Sequence, residues 1–200
     1  MMRLRGRFLI ALAVMAALAA CGENGRTGAP DEGVIALSDL FTGDFALIDK
    51  NGARVSDEDF EGRAMLVYFG FTHCPDVCPG DINVMSAALN ELGEEASHVA
   101  PIFISVDPER DTPDALADYF AFDERLIPLT GSPEEAAAAR LSFKVAAEKQ
   151  ALPDSALGYT VNHSRFFYIA DRQGQPRFAL VGGAAPADLA AILRRTIKEF

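Results

Sequence analysis

The sequence predicts an α/β domain, on three observations. Two nearly unbroken apolar runs, 64–71 and 101–106, have the length and composition of strands buried on both faces. Each leads into a proline-opened segment whose apolar residues recur at helical spacing. The last third adds two short strand-like runs around a turn and closes on an amphipathic helix.

Taken in order, the chain of 200 residues begins with a basic stub, Arg3, Arg5 and Arg7, and an apolar run from Phe8 to Ala20. That run is too short to cross a bilayer as a helix but suits the core of a signal peptide. Leu18-Ala19-Ala20-Cys21 resembles a bacterial lipobox, which predicts a lipoprotein signal over residues 1–20 and acylation of Cys21 as the mature N-terminus. An ordinary signal peptide cut nearby is the alternative. Removing three arginines from a chain of charge −11 leaves −14 on the mature part. An acidic, lipid-anchored domain outside the cytoplasm is therefore expected, periplasmic and on the inner membrane in preference to the outer. So acidic a chain offers no basic surface for nucleic acid. Residues 21–40 are rich in glycine and polar residues and read as a flexible linker, which leaves 41–200 as one domain.

Within the domain, Phe45 to Asp49 and Arg54-Val55 flank Lys50-Asn51-Gly52, a hairpin signal. Ala64 to Phe71 is the first buried strand. Pro79 suits the first turn of a helix with Ile82, Met85, Leu89 and Leu92 on its apolar stripe. Pro101 to Val106 is the second strand, and Thr112-Pro113 opens a helix with Leu116, Tyr119 and Phe120 inward. Ser132-Pro133-Glu134-Glu135 is a capping box for a third helix. Arg165 to Ala170 and Arg177 to Val181 pair around Asp171-Arg172-Gln173-Gly174. Pro186 starts the last helix, with Leu189, Ile192, Leu193 and Ile197 on one face. This order fits a thioredoxin-like architecture with an added N-terminal β-hairpin and an inserted helix.

The chemistry concentrates in Phe71-Thr72-His73-Cys74-Pro75-Asp76-Val77-Cys78-Pro79, between the first buried strand and its helix. Two cysteines four apart at a helix entry can present both sulfurs on one side of a turn, where the helix dipole favours thiolate. A pair of inert buried cysteines is the plainer alternative, but two prolines and an aspartate are poor core residues. With three cysteines and three histidines in all, neither a multi-bridge disulfide scaffold nor a cysteine-only zinc site is available.

This stretch resembles the Sco family (bacterial SenC), named for synthesis of cytochrome c oxidase. Ser105-Val106-Asp107-Pro108-Glu109-Arg110-Asp111-Thr112-Pro113 matches that family's second motif, and Val161-Asn162-His163-Ser164 with Phe166 to Asp171 its third. The motifs lie in the family's order, and the similarity covers the domain from about Gly43. The resemblance implies copper held by Cys74, Cys78 and His163. Two thiolates and an imidazole independently suit Cu(I) and, with a weak further ligand, Cu(II). It also implies a metallochaperone delivering copper to the copper A site of oxidase subunit II, with an upstream copper donor protein. The alternative is a periplasmic thiol–disulfide oxidoreductase using the Cys74/Cys78 pair on that subunit's cysteines. Three residues between the cysteines, where thioredoxin-type redox centres have two, favour the metal. The family's bacterial members often carry a true transmembrane anchor, where this chain has a lipobox-like ending.

The remaining candidate residues need assignment. His73 is the rival ligand but sits awkwardly next to Cys74, His98 reads as a solvated loop residue, and Met85 as core. Asp107 is either a turn acid before Pro108 or a carboxylate at the rim of the site. Glu109, Arg110 and Asp111 are expected to form a local ion-pair network.

Overall fold

The computed structural model describes residues 33–200. Residues 1–32, which include the predicted signal segment, Cys21 and most of the predicted linker, lie outside the described residues. Ten strands and four α-helices follow one another as β1 (Val34–Ala36), β2 (Ala46–Asp49), β3 (Arg54–Ser56), β4 (Ala64–Gly70), α1 (Val77–Leu92), β5 (Val99–Ser105), α2 (Pro113–Tyr119), β6 (Ile127–Thr130), α3 (Pro133–Ser142), β7 (Ala147–Leu152), β8 (Gly158–His163), β9 (Phe166–Ala170), β10 (Pro176–Val181) and α4 (Pro186–Glu199). Eight strands form one sheet in the order β1-β10-β9-β4-β5-β6-β2-β3, and β7 pairs with β8 as a separate hairpin.

The two apolar runs become β4 and β5, adjacent, parallel and buried at every residue. Side chains alternate between the faces of a strand, so neighbours in β4 report on opposite layers. Tyr68 donates a hydrogen bond to Asp81 of α1, whereas Phe69 packs edge-on against Phe143 at the end of α3. Helices α1 and α3 therefore cover opposite faces. Helix α4 packs beside α1, with Leu189, Ile192 and Leu193 fully buried. The predicted caps are present. Thr112 Oγ1 accepts from Ala115 N, and Ser132 and Glu135 complete a reciprocal capping box. The fold is thioredoxin-like, with the β2–β3 hairpin added at the N-terminal side as expected.

Three features depart from the expectation. Val34–Ala36, in the predicted linker, forms an edge strand against β10, because that strand's outer edge offers unpaired backbone groups. Strand β6 carries Pro128, a residue that argues against a strand. β2 pairs only with Leu129 and Thr130, so Pro128 lies beyond that ladder. In the β7–β8 hairpin β7 is largely exposed and β8 buries only Val161, so there is no hydrophobic alternation to read.

Candidate metal centre

Strand β4 delivers the chain into the cysteine loop, and the loop into α1. The helix starts at Val77, two residues before Pro79, so Cys78 lies in its first turn and Cys74 just ahead of it. Cys78 is fully buried, while Cys74 is half-exposed. Space for the Cys78 sulfur depends on Gly70. A Cβ at that position would lie 2.8 Å from the Phe103 ring and 3.4 Å from Cys78 Sγ.

The two thiols differ sharply in acidity. A hydrogen bond from Cys78 is the main influence lowering Cys74 to about 5, against some opposition from burial. The backbone N–H groups of Asp76, Cys78 and Val77 add to it. These are the unpaired donors of a helix N-terminus, which stabilise thiolate. Cys78 is pushed up, because its proton is held between the two sulfurs and its site is desolvated. The accessible sulfur is thus the one favoured as thiolate, and the buried one is favoured to hold the proton.

His163 reaches the same point from the other side. It is the last residue of β8, and its Nε2 lies 3.7 Å from Cys78 Sγ. Its Nδ1 lies 2.9 Å from the Ser164 carbonyl oxygen. A carbonyl only accepts, so Nδ1 carries the ring proton and Nε2 presents a lone pair toward the sulfur. Tyr68 and Phe71 meet the imidazole edge-on and fix its plane.

The β7–β8 hairpin that carries His163 is clasped to the loop after β5. Asp107 is fully buried, pairs with Arg110 and accepts a 2.8 Å bond from Tyr159 Oη. Arg110 in turn donates to the Leu157 and Tyr159 carbonyls and lies 3.7 Å from the Tyr159 ring centroid. Lys149 pairs with Glu109 across the same junction. Asp107 is more than a bare turn acid, because both its oxygens are committed inside the clasp that holds the His163 hairpin. The expected Glu109–Arg110–Asp111 network also differs. Glu109 and Arg110 have partners elsewhere, and Asp111 turns inward to accept from Thr72 Oγ1 and Ser105 Oγ, both at 2.6 Å. Burial raises its pKa, and the Thr72 bonds pin the start of the cysteine loop.

Of the other histidines, His73 is exposed and close to Thr72 Oγ1, and His98 is exposed at the end of a short 3-10 segment. Met85 is buried in the core. The structure brings Cys78 to both Cys74 and His163. Among the described residues, though, no three His, Cys, Asp or Glu side chains are already drawn into a metal cage. Cys74 is hydrogen-bonded to the helix N-terminus in this state.

Sequence reasoning missed the layer beneath Cys78. Buried Tyr68 and Asp81 form a polar cluster there with the partly exposed Arg165, which is bonded to both Asp81 oxygens at 2.6 and 2.8 Å. The available signal was a hydroxyl inside a strand buried on both faces, and an acid on the stripe shared by Cys78 and Met85.

Comparison with known proteins matches the SCO1/SenC family over residues 35–198. Protein sco1 of Schizosaccharomyces pombe is 43% identical over 137 residues, 66% of this chain and 52% of that protein. The chain thus spans about half the length of that relative. The structure of Bradyrhizobium japonicum ScoI with copper bound is 40% identical with a TM-score of 0.70, covering 76% of this chain and 97% of that one. BsSco, described as having a disulfide switch and as a member of the Sco family of cytochrome c oxidase assembly proteins, is 25% identical with a TM-score of 0.62. That match covers 78% of this chain and 93% of BsSco. The matched span takes in the cysteine loop, the clasp and His163 together, and the chain belongs to the SCO1/SenC family.

Proposed function

We propose that this chain is a copper metallochaperone. It holds one copper ion through Cys74, Cys78 and His163 and passes it to the copper A site of cytochrome c oxidase subunit II. The observation that carries the reading is the placement of an imidazole lone pair 3.7 Å from a cysteine sulfur that shares a proton with a second, thiolate cysteine. Copper in the structure of B. japonicum ScoI and the oxidase-assembly family of BsSco support it.

Copper is cargo in this account. Cys74 arrives as thiolate, so only Cys78 must release a proton when the ion enters. Cys74 then turns from the helix N-terminus toward Cys78 and His163. The Ser164 carbonyl keeps the proton on Nδ1, so Nε2 stays available, the usual second-shell role for a ligating histidine. Cys78 and His163 sit on a buried helix turn and a clasped hairpin, whereas Cys74 is half-exposed. Receipt from an upstream donor and release to the recipient then proceed by ligand exchange at Cys74. Only coordination bonds to the ion are exchanged, so in this reading the chain acts as a carrier.

The test is transfer. Copper(I)-loaded chain mixed with the metal-free, reduced copper A domain of subunit II should lose its metal to that domain, as read by metal analysis after separation. Retention of all copper would remove the delivery role.

A second reading rests on the same loop. A thiolate poised at about 5 beside a partner thiol also suits thiol–disulfide exchange on the subunit's cysteines.

The anchoring remains a proposal from the sequence. Cys21 carries lipid and holds the domain at the periplasmic side of the membrane, the inner one by preference. Labelled palmitate should be incorporated into the wild-type chain and not into Cys21→Ser. A wild-type chain that takes up no fatty acid would refute the lipid anchor.

A further inference from the structure

His163 is carried by a strand outside the main sheet. β7 and β8 form a sheet of two, running from Ala147 opposite His163 to Leu152 opposite Gly158. The base of this hairpin is tied where the Ser164 N–H donates to the Ala146 carbonyl and the Ala146 N–H to Ser164 Oγ. Tyr159, Val161 and His163 share one face of β8, since side chains two apart point the same way. Val161 is buried, and Tyr159 lies about 13 Å along the strand from His163. The setting of the imidazole therefore depends on what grips the far end of that face.

One side chain meets both that end and a ring that flanks the imidazole. Arg110 Nε pairs with Asp107, and Arg110 Nη1 donates to the Leu157 and Tyr159 carbonyls at 3.2 and 3.3 Å. The guanidinium carbon lies 3.7 Å from the Tyr159 ring centroid and 5.8 Å from that of Phe71, both within cation–π range. Phe71 meets the His163 ring edge-on, with centroids 6.0 Å apart. Asp107 fixes the assembly, since it is fully buried and accepts from Arg110 on one oxygen and from Tyr159 Oη on the other. A planar fork can bond in two directions and stack on a ring at once. A lysine ammonium at the same carboxylate cannot.

We infer that Arg110 is a positioning residue for His163 and, through it, sets how well the site holds Cu(II). It acts along two routes, the backbone of the hairpin and the Phe71 ring. Asp107 and Tyr159 share the role by fixing the guanidinium. Two thiolates alone can hold Cu(I), whereas Cu(II) calls on the imidazole. A His163 that has lost its setting therefore costs the oxidised ion far more than the reduced one. The clasp thus supports binding in one oxidation state in preference to the other, with no proton or electron moved within it.

This inference rests on the copper reading above, and the experiment separates the two. The whole chain is loaded with Cu(I) or Cu(II) as wild type, Arg110→Lys and Tyr159→Phe, and as each variant combined with His163→Ala. Arg110→Lys keeps a charge beside Asp107 and loses the fork, and circular dichroism checks its fold. Its Cu(II) affinity should fall by about tenfold, the scale of one net hydrogen bond, while its Cu(I) affinity changes by less than about twofold. Tyr159→Phe keeps the ring against the guanidinium and should move the Cu(II)-to-Cu(I) ratio the same way by less. In the His163→Ala background neither substitution should lower Cu(II) affinity further, because both act through that imidazole. A lower melting temperature with an unchanged ratio would make Arg110 a structural residue only and overturn the inference. An equal loss of Cu(II) affinity in the His163→Ala background would overturn it too. Should Arg110→Lys fail to fold, the same ratio on Tyr159→Phe decides. A wild-type chain that takes up no copper would overturn the copper reading itself, and this inference with it.

Discussion

Replacing Cys78 with serine is expected to abolish copper binding and leave the fold intact. Cys78 is the common point of the site, with Cys74 on one side and His163 Nε2 at 3.7 Å on the other. A serine hydroxyl fits the space but does not ionise near neutral pH and is a hard ligand, poorly matched to Cu(I). Cys74→Ser should give the same loss, because the remaining thiol and imidazole then lack the thiolate that is charged before metal arrives. Metal analysis of the purified variants after copper loading checks this against a wild type at one copper per chain. Full copper in a double-serine variant would show that the ion sits elsewhere.

The second large effect is on stability. Asp81→Ala should destabilise the domain by about 3 kcal/mol, from the buried hydroxyl left without its acceptor and an ion pair buried on the Asp81 side only. The loss strands three groups at once. The Tyr68 hydroxyl and the Gly183 N–H lose their acceptor, and Arg165 loses both its bonds. For a domain of this size the melting temperature should fall by roughly 6–12 °C, measured by circular dichroism on the metal-free chain. A fall under about 2 °C would mean that water replaces the carboxylate, and that the cluster beneath Cys78 is not rigid.

The part of the site written most plainly in the sequence was its local part. An apolar strand, two cysteines and a proline-marked helix start occupy consecutive residues, so propensity and spacing place Cys74 and Cys78 without tertiary knowledge. His163 was assigned by motif order alone, since its own surroundings gave no pattern. The structure puts it at the end of a hairpin whose first strand is largely exposed and whose second buries only Val161, and that hairpin is held by Arg110, Tyr159 and Asp107, residues about fifty positions apart in sequence. Such a clasp leaves no periodic trace. The burial of Asp107 and Asp111 is not legible in the sequence, because acids are seldom buried without partners, and Tyr159, Thr72 and Ser105 come from other elements. Asp81 was hidden for the same reason, as one acid in an apolar helix stripe whose arginine lies 84 residues away.

The copper-delivery account is tested most directly by His163→Ala in cells that depend on this chain for oxidase assembly. His163 contributes no sulfur, so the variant should still form and break the Cys74–Cys78 disulfide. It should bind Cu(II) poorly while retaining part of its Cu(I) affinity, since two thiolates alone can hold the softer ion. If copper delivery is the function, these cells assemble little active oxidase, and added copper restores part of the activity. Normal oxidase activity alongside demonstrably lost copper binding would contradict the account and transfer the role to thiol–disulfide exchange at the same two cysteines.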